Sequence, residues 1–568
     1  MGSMIGTRCV RFAVFSLGLV IAGAGVRADH QPLPKTRFKI KVTPVGVSPA
    51  QLAAAEKAVT QTKAVALLLV GSNYRLLYSE LPVGAEQNQF RTVFYNYSRQ
   101  EAIVAEGPLD RPEAAGVRVE KNWQPQPNQE EFQVAVAVLR SDSVFGPALA
   151  TERLGVYRPM PPVQGWAEDA VTERIVNVGL FPRSEANQIQ HEIVGVNVAR
   201  KTIVRYPGGT PRRANAAAEI CGLRDANQPT TNRGTEGQYQ LTILDNEGAI
   251  LWEMLVLRPS ISSGTNASGI ELQDVKYKTR SVFKRAHLPI LNVLYDEGGC
   301  GPYRDWTYQE GMFNARGTDI EGAPGFRDCG TSPAKTILDN TKDNGNFRGV
   351  AIYQQDDEVV LVTELEAGWY RYIHEWGFEA DGTIHPRFGF GGVANSCTCN
   401  PHTHHAYFRF DFDVDGPKNA IYEIPLAGNG SATQITTETK IIRDPGSPMH
   451  YQVSGGKRSY LLYPGENDGI ADDYGQGDLW LLHWHDGPTP LKAEIDDGHG
   501  FFDPTEADLD QFLNGESLSK QDLVVWYQAA FVHLPDNPAD GQPTPREGEA
   551  LEIAGPEVVG PDLVPVGY

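Results

Sequence analysis

The chain has 568 residues, 41% of them hydrophobic, and a formal net charge of −21. That length exceeds one ordinary core and that composition excludes a disordered chain, so two or more folded domains are expected. The acidity argues against a nucleic-acid surface, which needs clustered Lys and Arg, and is compatible with small cationic ligands.

The chain begins with Arg8, Arg11, an apolar run from Phe12 to Ala24, and Val26-Arg27-Ala28. This is the order of a cleaved signal peptide, residues 1–28, with a mature start near Asp29. The run is shorter than the roughly 20 residues that cross a bilayer, so no membrane span is expected, and the predicted location is secreted or periplasmic. Loss of Cys9 with the leader leaves Cys221, Cys300, Cys329, Cys397 and Cys399 in a compartment where disulfides persist.

Ser48 followed by Pro49 predicts a helix start. The branched segments Val65–Val70, Arg75–Leu81 and Phe90–Tyr97 read as strands of a small sheet, giving a first α+β domain over 29–104. A second α+β domain over 105–165 contains Glu131–Val138, a helix or strand, and a short helix ending at Ala150, and closes at the prolines 159–162. From Trp166 onward short strands alternate with Gly, Asn, Asp and Pro turns, which predicts a large antiparallel β-sandwich over 166–568. Examples are Tyr239–Leu244 with Ile250–Leu257, and Trp369–Phe378 with the segment from Ile384. The Pro-, Gly- and acid-rich tail after Pro535 reads as an extended arm.

The densest polar segment is Cys397-Thr398-Cys399-Asn400-Pro401-His402-Thr403-His404-His405. On a strand His402 and His404 share a face, so both imidazoles can meet one copper or zinc ion; a polar strand end is the other reading. His405 points the opposite way and reads as a bystander. Asp411 and Asp413 also share a face and offer oxygen to calcium or manganese, or form an exposed acidic strand end. His533 ends an apolar run that starts after Asp522; alone, it would read as structural.

Together these segments resemble the copper amine oxidase family, whose copper is held by a His-x-His pair and a distant C-terminal His. The resemblance implies copper at His402, His404 and His533, and a second, calcium- or manganese-type site at Asp411, Asp413 and Asp522. Gly368 to Trp376 is similar to the family's cofactor strand and implies that Tyr370 is the precursor of topaquinone. Trp369 stands where the family usually has Asn, and Arg371 where it has an acid; the stretch from Tyr370 to His402 is also shorter than usual. Tyr295 falls on the family's channel tyrosine. Asp305 is taken as the catalytic base, with Asp296 as the alternative.

The activity so implied is copper-dependent oxidation of a primary amine by dioxygen to an aldehyde, with ammonia and hydrogen peroxide released, in a homodimer. Cys300 is expected to pair with Cys329, and Cys397 or Cys399 to form a structural disulfide. The departures at Trp369 and Arg371 keep two alternatives open: a copper enzyme of this fold without topaquinone that catalyses another oxidation, and a non-catalytic extracytoplasmic copper-binding protein.

Overall fold

The computed structural model describes residues 38–45, 47–81, 89–121, 124–125, 127–158, 173–182, 192–205, 238–295, 302–340, 343–392, 398, 402–426, 431–465, 467–484, 495–499, 506–533 and 558–568. The signal peptide, Asp296, the prolines 159–162 and Cys221, Cys300, Cys397 and Cys399 lie outside these residues.

The Pro49–Thr60 helix starts as its sequence dictates: Ser48 accepts from the Gln51 amide, and the Gln51 side chain accepts in return from the Ser48 amide. Lys63–Leu69 is also a helix rather than the expected strand, because Thr62 caps it through the Val65 amide and its apolar residues run too short to show a period. Both helices bury Leu52, Val59, Val65 and Leu69 against Phe90, Phe94 and Ile103 of a sheet made by Tyr74–Glu80, Gln89–Asn96, Glu101–Pro108 and Gly116–Glu120.

Gln129–Arg140 is a helix with an Asn128–Glu131 capping box. It packs on a second small sheet formed by Leu154–Tyr157, Ile175–Pro182, Glu192–Asn197 and Thr202–Arg205. Strand pairing therefore carries this second unit well past the expected change at Trp166.

Among the described residues the remaining strands form two large sheets. One has ten strands and runs through Lys39–Val45, Gln238–Leu244, Ile250–Leu257, Glu271–Tyr277, Arg280–Tyr295, His402–Phe412 and Leu523–His533. The other has eleven and includes Glu358–Ala367, Tyr370–Glu379 and Ile384–Gly392. Among the described residues pairing is antiparallel apart from Phe326–Asp328 with Val350–Gln355, which is parallel. The sheets face each other across one core in which Leu272, Val293, Phe408 and Phe410 meet Leu361, Tyr372, Trp376 and Phe390. This is the expected β-sandwich. The expected C-terminal arm ends differently: Asp562–Val566 is a strand inserted between Ile384–Gly392 and Ser459–Tyr463.

Gly382, in the turn before Ile384, has φ +105, and a Cβ there would stand 2.5 Å from the Tyr277 ring. Only glycine fits that approach.

Candidate active site

Tyr370 opens its strand after a two-residue turn, Gly368-Trp369, that joins Ala367 to Tyr370. Gly368 has φ +58, the conformation such a hairpin needs at its first central position. Arg371 fixes the turn from the other face: its Nη1 donates to the carbonyls of Gly368, at 3.1 Å, and Tyr370, at 2.9 Å. The guanidinium is matched by Asp343, with Nε to Oδ1 at 2.7 Å and Nη2 to Oδ2 at 3.0 Å, both side chains buried. The positive charge beside Tyr370 thus serves a carboxylate and the backbone, not the phenol.

Alternation along the strand turns Tyr370, Tyr372 and His374 toward the opposite sheet, where His402 and His404 alternate in the same way. His402 and His404 are fully buried, with ring centres 5.0 Å apart. A metal-bound nitrogen sits about 2.0–2.1 Å from its ion, which places ring centres about 3.2 Å from it and, at near-tetrahedral angles, about 5 Å from each other. The two imidazoles fit one ion. The backbone of His533 is in register with His402 on the next strand; its side chain lies outside the described atoms, and among the described residues no third ligating side chain joins the pair. His405 points to the far face as expected and bonds Asp472 at 2.9 Å.

Tyr370 is fully buried, and its Oη lies 3.1 Å from His402 Nε2. Tyr295 also hydrogen-bonds that Oη, and Trp369 Nε1 donates to Tyr295 Oη at 3.2 Å. A chain of hydrogen bonds therefore runs from Trp369 through Tyr295 and Tyr370 to His402. The large indole in place of a small amide is absorbed as a donor to the tyrosine that touches the reacting one. Burial pushes both phenols well above the ordinary tyrosine range.

Asp305 is 1% exposed and accepts from Tyr372 Oη through Oδ2, while Oδ1 has no hydrogen-bond partner among the described residues. Burial raises its pKa well above the carboxylate range, and the Tyr372 hydrogen bond opposes the shift. Tyr372 stacks on Tyr370 with centres 5.4 Å apart, so Asp305 approaches Tyr370 by way of Tyr372. Sequence reasoning assigned no part to Tyr372 or Asp343. The period-two alternation from Tyr370 contained the signal for the first, whereas no local pattern marks the second.

Among the described residues Asp411 Oδ1 and Asp413 Oδ1 meet no donor, and Asp411 shares its other oxygen with Arg409 at 3.4 Å. Burial first, and then the Asp411 charge, push Asp413 up to about 6. Asp413 and Asp522 each lie one residue beyond the paired Phe412 and Leu523. The described residues bring no three ligating side chains together here either. Among the described residues Cys329 is a buried free thiol beside Phe313, Phe347 and Tyr353, and its expected partner Cys300 lies outside them.

No family model matches the sequence. Over 221 residues the chain is 23% identical to a copper amine oxidase, vicK1, of Bipolaris victoriae, covering 30% of this chain and 31% of that protein. It is 22% identical over 231 residues to the copper-containing amine oxidase 3 of Rattus norvegicus, covering 31% and 30%. The matches thus span about a third of the curated relatives' length. In fold, a copper-containing benzylamine oxidase from Hansenula polymorpha superposes with a TM-score of 0.55 at 13% identity, covering 92% of this chain and 97% of that one. An amine oxidase of Aspergillus nidulans gives 0.51 at 15% identity, covering 92% and 88%. With the Tyr370–His402–His404 cluster seated between two such sheets, the chain resembles the copper amine oxidases in sequence over about a third of its length and has their fold.

Proposed function

We propose that this protein oxidises a primary amine to an aldehyde at the expense of dioxygen, releasing ammonia and hydrogen peroxide. The carrying observation is Tyr370 Oη at 3.1 Å from His402 Nε2, beside a second imidazole placed to share a metal. In this reading His402, His404 and His533 hold copper, and Tyr370 is converted to topaquinone. When bound, the copper and the quinone supply the redox chemistry that links amine to dioxygen.

The chain's own groups do the positioning and the proton transfer. Tyr295, braced by Trp369, holds Tyr370 Oη toward His402. Asp305 is the general base: burial keeps it protonated until a cationic amine arrives, and the opposite charge then lowers its pKa and leaves Oδ1 to take a carbon-bound proton. The buried aromatic walls exclude water, which strengthens these charge effects. Asp411, Asp413 and Asp522 form the second, calcium- or manganese-type site, and the protein acts outside the cytoplasm, secreted or periplasmic, as a homodimer.

A second reading keeps copper but leaves Tyr370 a tyrosine that serves another oxidation. It is favoured by the indole of Trp369, which engages Tyr295 directly beside the phenol to be oxidised. Amine turnover by copper-loaded Tyr370→Phe decides between them. Complete loss with copper retained supports the quinone, whereas retained turnover refutes it.

A further inference from the structure

Besides the Tyr372 bond to its side chain, Asp305 is located by two backbone hydrogen bonds. Its amide donates to the Leu291 carbonyl at 2.9 Å, and its carbonyl accepts from Asn266 Nδ2 at 3.3 Å. Asn266 is tied to the same stretch a second time, because its own carbonyl accepts from the Thr307 amide at 2.9 Å. The place of Asp305 is therefore set by two short segments, residues 303–307 and 264–267.

Two consecutive residues of a segment nearly 200 positions further along grip both of them. Arg304, next to Asp305 in the chain and 1% exposed, donates through Nη1 to Asp497 Oδ1 and through Nη2 to the Glu506 carbonyl at 3.2 Å. Thr265, next to Asn266, donates its amide to Asp496 Oδ2. The remaining carboxylate oxygens anchor the grip to its own segment: Asp497 Oδ2 accepts from the Asp508 amide at 3.1 Å, and Asp496 Oδ1 from the Gly498 amide at 2.7 Å.

Stability alone does not call for this arrangement. Asp496 and Asp497 are buried side by side, where like charges repel and each carboxylate loses its water; apolar residues of similar size would join the segments without that penalty. Ala267 adds strain, since it is fully buried with φ +63, a left-handed conformation that a residue with a Cβ resists. Strain of this kind persists where the surroundings over-determine it, and it gathers at functional sites. Here the surroundings are the Thr265–Asp496 and Asn266–Asp305 bonds on either side of it.

We propose that Asp496 and Asp497 are positioning residues for the general base, fixing the place of Asp305 through Thr265–Asn266 and through Arg304. This rests on the reading of Asp305 as the base. Misplacing a reacting group by about 1 Å costs on the order of a hundredfold in rate, so loosening either arm should act on kcat and leave KM nearly unchanged.

The test measures butylamine and phenethylamine oxidation, with kcat expressed per quinone titrated by phenylhydrazine so that loss of folded protein does not count. Asp497→Asn should lower kcat by about tenfold to a hundredfold, and Asp497→Glu should recover part of it. Asp496→Asn, the milder change, should lower kcat in the same direction. Glu131→Gln, which breaks a buried ion pair with Arg174 in the second small unit, is the control for lost stability and should leave kcat unchanged. A second readout needs neither copper nor turnover: the infrared carboxylic-acid stretch of Asp305, identified by its loss in Asp305→Asn, should shift in Asp497→Asn and not in Glu131→Gln. If no amine is oxidised but the band shifts in this way, the activity reading fails and the positioning stands. If amines are oxidised while Asp497→Asn and Asp496→Asn match Glu131→Gln in kcat and in the band, the positioning is overturned and the activity reading stands.

Discussion

Replacing Asp343 by alanine removes the carboxylate from a guanidinium that has no route back to water. Arg371 and Asp343 are 1% and 0% exposed, and two hydrogen bonds of 2.7 and 3.0 Å join them. Breaking a buried pair by deleting one partner costs about 3–5 kcal/mol, because the remaining charge is stranded. The unfolding entropy of globular chains, near 2.1 cal/mol/K per residue, comes to about 1.2 kcal/mol/K for 568 residues. The melting temperature of Asp343→Ala should therefore fall by about 3–4 °C if the body melts as a unit. Replacing both partners, Arg371→Met with Asp343→Leu, should recover most of this, since apolar pairs of similar volume often match buried ion pairs. Calorimetry at one scan rate compares the three proteins. Asp343→Ala melting with the wild type, or the double variant melting below the single one, would refute the role given to this pair.

Trp369→Phe keeps an aromatic ring but deletes the donor to Tyr295, and should lower stability by about 1–2 kcal/mol, read by thermal melting. Burial, reinforced by Asp339 and Glu358, raises Glu375 to about 7. Its unfolded form ionises near 4.5, so the folded protein should lose stability as pH rises from about 4.5 through 7 and level off above. Glu375→Gln should flatten that segment of the melting-temperature profile and stabilise the protein at pH 8. Gly382→Ala forces a Cβ into the Tyr277 ring at φ +105 and should cost about 1–3 kcal/mol in the same assay.

What was readable in the sequence was local. Ser48-Pro49 with Gln51 contains its own cap, and His402-Thr403-His404 contains its own shared face, so both are found where the pattern puts them. Val65–Val70 was not readable, because a short apolar run without a period serves helix and strand alike and Thr62 decides it. Asp562–Val566 was hidden by its Pro- and acid-rich setting; its strand character comes from the two neighbours it pairs with. The partners of the site residues were the least accessible part. Tyr372 reaches Asp305 across 67 residues of sequence and Arg371 reaches Asp343 across 28, contacts that only the closed sandwich creates.

The most direct test of the central claim, a copper-linked quinone at Tyr370, is the visible spectrum of copper-loaded, aerated protein before and after phenylhydrazine, with metal content measured on the same sample. Stoichiometric copper, a visible quinone band and its shift on reaction with the hydrazine, all lost in Tyr370→Phe except the copper, is the predicted result. Stoichiometric copper with no band and no reaction would contradict it and leave Tyr370 an unmodified tyrosine beside the metal.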